Sequence, residues 1–325
     1  MIRNRDAGEF LAGKKSLRLP AYFPSISSVK TAMPPVEYLK LLAPLSALTS
    51  QYLVSAYDLF HCGSPALAGE LIARAQSKGA VVLMDSGNYE SFWKEDQAGW
   101  KREHFHAMLR AYPVDLAFCF DCQDPPDDTS RNVDSVVSGW KTDSAAAPDT
   151  LLVPIVHASH DALPRACGDV ARRTGTGIIA VAERRLGDGF FQRAATVRAI
   201  RRALDATGAF TALHLLGTGN PTSIAIYTAM GADSFDGLEW CQTVVDHDSA
   251  LLFHLSQADF FSDQTAWAES GLSFQARTLA HNLEFFGEWM RRLHAALMEH
   301  SLESFCRHNL TPRVFERCAA VFVGT

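Results

Sequence analysis

Five polar side chains, each placed just after a short apolar run, are the residues of this sequence that could carry out chemistry. They are four carboxylates and one imidazole, groups that can exchange protons with a reacting molecule: Asp85, Asp121, His157, Glu183 and Asp236. The same placement recurs from one apolar run to the next. We therefore expect a single fold to bring these groups together.

The apolar runs alternate with helical patterns, which is typical of a parallel sheet. The predicted strands are Gln51–Ser55, Ala80–Met84, Asp115–Phe120, Leu151–Val156, Gly177–Val181, Ala212–Leu216 and Asp233–Phe235. All five polar groups lie at carboxyl ends of these strands. That face carries the active site in a (β/α)8 barrel, whereas an open doubly wound sheet binds ligands only near a switch point. The sequence therefore predicts a (β/α)8 TIM barrel with additional C-terminal helices.

Proline and glycine punctuation places helices between the strands. The predicted helices run from Pro65 to Gly79, from Phe190 to Thr207, from Pro221 to Gly231 and from Gln275 to Glu303. The polar stretch 124–149 predicts a loop, and no strand is expected beyond about Asp246. The sequence thus predicts a catalytic barrel over residues 1–245 and a helical part over residues 246–325 that completes the barrel or packs on it.

Composition narrows the class of protein. A chain of 325 residues with 47% hydrophobic content can bury a sizeable core. The formal net charge of -6 gives no general attraction to phosphate, so a nucleic acid would be held by local basic patches. Seven scattered cysteines in so large a chain are expected to be reduced thiols. With polar sequence at the N-terminus and no long apolar stretch, we expect a soluble cytoplasmic protein without a membrane segment.

Several segments, in order, resemble the motifs of the tRNA-guanine transglycosylase family. They are LPAYFPSISSVKTAMPPVEY (19–38), LMDSGNYE (83–90), LAFCFDCQDPP (116–126), PIVHAS (154–159), IAVAE (179–183) and LLGTGNP with GADSFDG (215–237). Each motif alone is a weak signal, but their shared order at strand ends is more specific. The resemblance covers roughly residues 18–240 and implies an enzyme that exchanges guanine in a polynucleotide for a 7-deazaguanine base.

The resemblance also assigns roles to residues. Retaining exchange at a glycosidic bond needs a carboxylate nucleophile and an acid/base group for the purine. By motif position Asp236 resembles the nucleophile, Asp85 the acid/base group and Asp121 the reader of the purine edge. The remaining base-binding positions that the resemblance implies are Ser86, Tyr89, His157, Glu183, Leu216 and Gly217. Alternatively, Asp85 and Asp236 are only turn or helix-capping residues.

The sequence departs from the family in the base pocket. His157 stands where the family has glutamine, and Asn88 and Glu90 replace a glycine and a glutamine after Asp85. An imidazole can still donate a hydrogen bond to a purine carbonyl. We therefore expect a guanine-like base, with the identity of the incoming base left open. The alternative for His157 is a hydrogen-bonded histidine at a barrel mouth.

A second departure concerns zinc, which the family binds through a cysteine cluster and a distant histidine. His281 is the only retained candidate ligand, because no cysteine cluster precedes it, and we expect no metal or other cofactor. Cys119 and Cys122 have Cys-x-x-Cys spacing but are interpreted as buried thiols in different environments. The acidic segment 246–248, which contains His247, has weak metal potential and is interpreted as a solvated loop.

The expected partners are a nucleic acid, either tRNA or DNA, and a free guanine-like base. Candidate phosphate-binding residues are Arg184 and Arg185, with Arg291 and Arg292 as weaker candidates, although paired arginines are usually a solvated face. A homodimer is possible by resemblance. The loss of the zinc element is compatible with divergent relatives that insert 7-deazaguanine bases into DNA.

Two other functions remain open at this point. The same carboxylates could use water on small purine or 7-deazapurine nucleosides, which would make the protein a nucleosidase. Alternatively, the chain could be a non-catalytic partner subunit of a transglycosylase. Retention of both Asp85 and Asp236 counts against the latter, because a non-catalytic subunit has no chemical need for either.

Overall fold

The computed structural model describes residues 8–322, and its main feature is a closed parallel barrel. The strands are β1 Glu9–Ala12, β2 Lys15–Arg18, β3 Ala21–Ile26, β4 Gln51–Ser55, β5 Val81–Asp85, β6 Leu116–Phe118, β7 Leu151–Val153, β8 Ile178–Ala182, β9 Ala212–Leu216, β10 Ser234–Gly237, β11 Thr243–Val245 and β12 Leu252–His254. Strands β3 to β10 pair in the order β7-β6-β5-β4-β3-β10-β9-β8. The two ends of this order meet where Ile155 bridges Ala180, with Val156 N donating to Ala180 O at 2.8 Å. The predicted (β/α)8 barrel is confirmed.

Helices connect the barrel strands and continue beyond them. They are α1 Pro35–Leu42, α2 Ala56–Phe60, α3 Pro65–Ser77, α4 Asn88–Trp93, α5 Arg102–Ala111, α6 Thr129–Ala146, α7 Leu163–Thr174, α8 Phe190–Asp205, α9 Pro221–Met230, α10 Glu239–Gln242, α11 Phe274–Met298, α12 Leu302–Asn309 and α13 Pro312–Phe322. Short 3-10 segments cover Glu183–Arg185, Leu255–Gln264 and Ala266–Glu269. Across residues 8–322, no helix combines the length and the apolar character that crossing a membrane requires.

Strand β3 completes the barrel but is absent from the seven strands predicted from sequence. Its sequence, AYFPSI, contains Pro24, and a proline inside a run argues against a central strand because it donates no ladder hydrogen bond. The strand is nevertheless fully buried and pairs with β4 on one side and β10 on the other. Tertiary packing therefore overrides the local signal.

Alternation along the strands decides which side chains face the barrel interior. In β5, Val81 and Leu83 pack in the interior cluster, whereas Val82 and Met84 pack in the outer layer beneath the helices. A period of two then turns Asp85 inward at the carboxyl end of β5. The same alternation in β3 places Phe23 in the interior and Ser25 one step above it. The strand period therefore presents polar groups at what we call the barrel mouth, the opening at the carboxyl ends of β3 to β10.

The hairpin of β1 and β2 covers the opposite end of the barrel. Leu17 and Leu19 belong to the interior cluster, and Phe10 packs against it. Lys15 Nζ donates to Asp115 Oδ2 at 3.0 Å, just before β6 begins. Among the described residues, apolar side chains therefore fill this end of the barrel.

The C-terminal part packs on the outside of the barrel. Helix α11 contributes Phe286, which stacks on Tyr22 of β3 with ring centroids 4.5 Å apart. The predicted long helix to Glu303 is wrong at its end: α11 stops at Met298, and His300 has a left-handed φ of 52° before α12 begins. Strands also continue beyond Asp246, because β12 pairs with β11 as a hairpin.

The predicted loop over residues 124–149 is also wrong over most of its length, because helix α6 spans Thr129–Ala146. The Asp128 side chain caps this helix by accepting a hydrogen bond from Arg131 N. Val133 and Val137, four residues apart, bury one side of the helix against the barrel. The narrow apolar stripe explains why a polar composition was mistaken for a loop.

Candidate active site

The five strand-end groups predicted from sequence all lie around the barrel mouth. Asp85 is the last residue of β5, Asp236 lies in β10, and Glu183 directly follows β8. Asp121 and His157 lie shortly after β6 and β7. The charges of Asp121 and Asp236 both raise the pKa of Asp85, so the three carboxyl groups interact electrostatically across the mouth.

Asp236 is held by three hydrogen-bonding groups, one from β3 and two from β9 and its carboxyl end. Ser25 Oγ donates to Oδ2 at 2.8 Å, Gly217 N donates to Oδ1 at 3.2 Å, and His214 Nε2 lies 3.0 Å from Oδ1. Gly217 has a φ of +73°, a conformation that favours glycine. Both carboxylate oxygens are therefore fixed in direction before any ligand arrives.

Asp85 has a different environment. Gly87 N donates a hydrogen bond to its Oδ2 at 2.9 Å. Burial is the main cause that raises the pKa of Asp85 to about 7, and the neighbouring Asp121 and Asp236 add to the effect. A carboxyl group with a pKa near neutrality can both give and take a proton at physiological pH.

The Asp121 carboxylate makes hydrogen bonds with four side chains of this protein. Oδ1 accepts hydrogen bonds from Asn88 Nδ2 at 2.6 Å and from Ser86 Oγ at 3.3 Å. Oδ2 is 2.6 Å from His157 Nε2 and 2.5 Å from Gln123 Nε2. Burial alone would raise the pKa of Asp121, but the hydrogen bond and charge of His157, with Asn88, lower it overall. Since a carboxylate has about four acceptor sites, a base can bind here only by replacing one of these donors.

His157 faces Asp121 and is not free to serve as the donor to a purine carbonyl through Nε2. The other ring nitrogen, Nδ1, is buried and has no hydrogen-bond partner among the described residues. The backbone of His157 is tied to α6, because Asn132 Nδ2 donates to its carbonyl oxygen. The imidazole thus belongs to a preformed histidine–carboxylate pair.

The other predicted base-binding residues line the same opening. Tyr89 lies on α4 and is half-buried, and Leu216 closes the top of the barrel interior beside Gly217. Glu183 turns outward: its Oε1 pairs with Arg193 Nη1 at 3.1 Å and accepts a hydrogen bond from Tyr227 at 3.3 Å. Glu183 therefore lies at the rim, where its carboxylate is engaged by α8 and α9.

Arg184 and Arg185 both contact the segment that follows Asp121. Arg184 Nη2 donates to Gln123 Oε1 at 2.7 Å, and Arg185 Nη2 donates to the Gln123 carbonyl at 3.1 Å. Gln123 in turn donates to Asp121. The two arginines thereby hold the loop whose Gln123 side chain donates a hydrogen bond to the Asp121 carboxylate. Arg184 remains exposed to solvent.

Sequence reasoning missed the residues behind the strand-end groups. His214 stands alone in the apolar strand ALHLL, and this single polar residue at an inward position was the signal available. Ser25 lies in the unpredicted strand β3. Glu90 is buried, and its two oxygens accept hydrogen bonds from Ser27 Oγ at 2.6 Å and Ser55 Oγ at 2.8 Å. Burial, with Asp58 and Asp85 nearby, raises the pKa of Glu90 to about 8.

Glu239 is a further unpredicted carboxyl group, placed behind Asp236. Burial raises its pKa to about 7, and the Gly219 amide, which donates to it, opposes this shift. A Cβ at Gly219 or Gly237 would overlap Oε2 of Glu239. These glycines therefore make room for a side chain of the protein itself.

The C-terminal candidates for metal binding are engaged in hydrogen bonds. His281 Nε2 lies 2.8 Å from the Val245 carbonyl, Nδ1 lies 3.2 Å from Thr265 Oγ1, and burial lowers the pKa of the ring. Asp246 accepts from Ser249 and Gln264. Within residues 8–322, no group of three or more His, Cys, Asp or Glu side chains is arranged to hold a metal ion.

Two other sequence candidates also have defined surroundings. Cys119 is buried but Cys122 is exposed, so the two thiols lie in different environments as predicted, whereas the prediction of a buried thiol is wrong for Cys122; both thiols are free. Arg291 pairs with Glu288 at 2.6 Å on the exposed side of α11, and Arg292 contacts Asn309. These arginines lie on the C-terminal part and are not among the residues at the mouth.

Compared with known proteins, the chain matches no protein-family model and no curated protein sequence. Its function must therefore be inferred from the geometry of the mouth. There, one carboxylate is fixed by three donors and a second carboxyl group has a pKa near 7. Two carboxyl groups with such different surroundings can divide nucleophilic and acid–base roles between them.

Proposed function

We propose that this protein exchanges guanine in a nucleic acid for a 7-deazaguanine-type base through a covalent intermediate on Asp236. The observation that carries the proposal is the contrast between Asp236, whose oxygens are fixed by Ser25, His214 and Gly217, and Asp85, whose pKa is raised to about 7. A retaining exchange needs one carboxylate that attacks and one carboxyl group that moves protons.

The proposed reaction has two balanced steps. Asp236 attacks C1′ of the target nucleotide, the bond from C1′ to guanine breaks, and protonated Asp85 gives its proton to the departing base. The incoming base then gives a proton to the Asp85 carboxylate and attacks C1′, and the ester bond to Asp236 breaks. Both residues return to their starting states, so no further reactant is required.

In this proposal a guanine-like base binds at the mouth. Tyr89 and Leu216 supply an aromatic and an apolar surface, and Asp121 supplies acceptors for the base amino and imino groups. Because Asp121 already has four donors, binding is proposed to displace the Gln123 amide from Oδ2. Arg184 and Arg185, which hold Gln123, would then regulate how easily this loop yields.

The test is incorporation of radiolabelled guanine into bulk tRNA and genomic DNA in parallel. Label entering one polymer with the wild type, and lost in Asp236→Asn and Asp85→Asn, supports base exchange and identifies the polymer. The exposed Asp263→Asn serves as a matched control that should keep full activity. Equal incorporation by wild type and Asp236→Asn would remove the covalent mechanism.

A second candidate is hydrolysis of small purine or 7-deazapurine nucleosides. The acidic character of the mouth favours it, since the Asp121 and Asp236 carboxylates would repel a phosphate close to the reacting atoms. In this case water replaces the incoming base in the second step. Purine release from free nucleosides, with no label entering either polymer, would favour this candidate over exchange.

A further inference from the structure

Exposed aromatic rings lie on helix α4, directly beside the barrel mouth. Phe92 and Trp93 are 55% and 49% exposed, and Tyr89 on the same helix is half-buried. Helix α4 begins three residues after Asp85, and its six residues rise only about 8 Å. Large aromatic side chains are costly to leave in water, so a group of them next to a candidate site suggests a binding surface.

Two cations flank these rings. Lys30 Nζ lies 3.9 Å above the centroid of the Trp93 ring. On the other side, the exposed Arg184 donates to Gln123 Oε1 at 2.7 Å, in the segment that follows Asp121. Lys30 follows β3, α4 follows β5, and Arg184 follows β8, so the row crosses the mouth. We call Lys30, Tyr89, Phe92, Trp93 and Arg184 the aromatic–basic rim.

We infer that the aromatic–basic rim binds an unpaired stretch of polynucleotide on either side of the reacting nucleotide. Bases stack on Trp93 and Phe92, and phosphates contact Lys30 and Arg184. Interleaved cations and aromatic rings are the combination that recognises single strands, because every base has a face that can stack and every linkage carries a charge. This inference rests on the proposed function, in that it specifies the form of nucleic acid that the site accepts.

The arrangement of charge favours a single strand over a duplex. Inside the mouth the carboxylates of Asp121 and Asp236 repel phosphates, whereas the cations stand outside them on the rim. A strand held on the rim can lower one unstacked nucleotide into the mouth while its phosphates stay with the cations. In a duplex the bases stack on one another and their faces are not available to Trp93.

The test is fluorescence anisotropy with a labelled 12-nucleotide single strand and with the same strand in a duplex, at low salt. Wild type should bind the single strand more tightly. Trp93→Ala should weaken that binding on the order of five- to a hundredfold, whereas Trp93→Phe should retain most of it. Phe260→Ala, at a 76% exposed ring on the C-terminal part, is the matched control and should change nothing.

Salt dependence tests the cations separately. Two phosphate contacts to a single strand predict a slope of about -1.4 for log K against log salt, and Lys30→Gln should reduce its size by about 0.7. An unchanged slope in Lys30→Gln would overturn the assignment of that phosphate contact.

Two results would overturn the stacking site. They are equal affinity for single strand and duplex, and a Trp93→Ala variant that binds like Phe260→Ala. If instead wild type binds single strands through Trp93 but neither exchanges guanine nor releases purine, strand binding at the aromatic–basic rim is supported and the proposed reaction is contradicted.

Discussion

The Nε2 atom of His214 lies 3.0 Å from Oδ1 of Asp236, and the Nδ1 atom of the same ring lies 2.8 Å from Ser234 Oγ. The imidazole is buried inside the barrel, where its ring makes an edge contact with Phe118. It therefore connects the candidate nucleophile to the floor of the mouth. His214 acts through Asp236, which makes it a positioning residue.

The first prediction concerns this link. His214→Phe keeps an aromatic ring but removes both hydrogen bonds, so the free energy of unfolding should fall by about 1 to 3 kcal/mol. Urea denaturation would measure the loss, and His308→Phe, at an exposed position on α12, is the control. Any base exchange or nucleoside hydrolysis should slow as well, because Asp236 loses one of three donors. Equal stability of the two variants would show that the ring contributes only by packing.

The second prediction follows from the pKa of Asp85, which is raised from 3.8 to about 7 by burial and neighbouring carboxylates. The folded protein holds this proton more tightly than the unfolded chain, so the wild type loses stability as pH rises from about 4 to about 7. Asp85→Asn cannot ionise. The free energy of unfolding of Asp85→Asn, relative to that of the wild type, should therefore increase by on the order of 2 kcal/mol over this pH window.

Thermal unfolding at pH 5 and pH 8 would measure this difference, with Asp263→Asn as the exposed control. If the advantage of Asp85→Asn were the same at both pH values, Asp85 would not hold its proton near neutrality. It could then not serve as the acid in the proposed reaction.

The third prediction has the opposite sign and concerns Asp121. Burial alone would raise its pKa, but the hydrogen bond and charge of His157, with Asn88, lower it below 3.8 in the folded protein. The stabilisation from the Asp121 carboxylate is present above about pH 4 and is lost as pH falls through the lowered pKa. Asp121→Asn should thus be less stable than wild type at pH 7, by about 1 to 3 kcal/mol, and the gap should narrow below pH 4.

Chemical denaturation at pH 7 and pH 3 would follow this gap. A gap that widened in acid would mean that the four donors around Asp121 do not stabilise its charged form. Together with Asp85, this measurement would show whether two aspartates at one mouth respond to pH in opposite directions.

The strand-end pattern was sufficient to predict the barrel and the five polar groups at its mouth, because the alternation of apolar runs with helical patterns and the polar residue after each run are properties of the local sequence. Strand β3 was missed because Pro24 is a local signal against a strand, while its burial between β4 and β10 is a tertiary effect. The helix in residues 129–146 was missed because its apolar stripe is narrow.

The partners of the site residues could not be predicted from the sequence for a different reason. Ser25 is 211 residues from Asp236 in the chain, and Ser27 is 63 residues from Glu90. No local pattern encodes such contacts, since they depend on which strands become neighbours. The position of His214 was detectable as a polar residue on an apolar strand, but its role required knowing that β9 pairs with β10.

The last prediction concerns the space that Gly219 leaves for Glu239. A Cβ at Gly219 would overlap Oε2 of Glu239 and come within 3.0 Å of the Tyr22 hydroxyl. Gly219→Ala should therefore push the buried Glu239 carboxyl away from the Gly219 amide and destabilise the fold by about 1 to 3 kcal/mol.

Gly63→Ala, at a glycine with nothing within 4 Å, is the matched control and should be neutral or slightly stabilising. Removing the obstructing side chain in Gly219→Ala/Glu239→Ala should recover part of the loss, and urea denaturation of all four members of the double-mutant cycle would measure the coupling. Additive effects would mean that Gly219 is needed for its backbone alone, and that Glu239 does not fix the loop whose Gly217 amide holds Asp236.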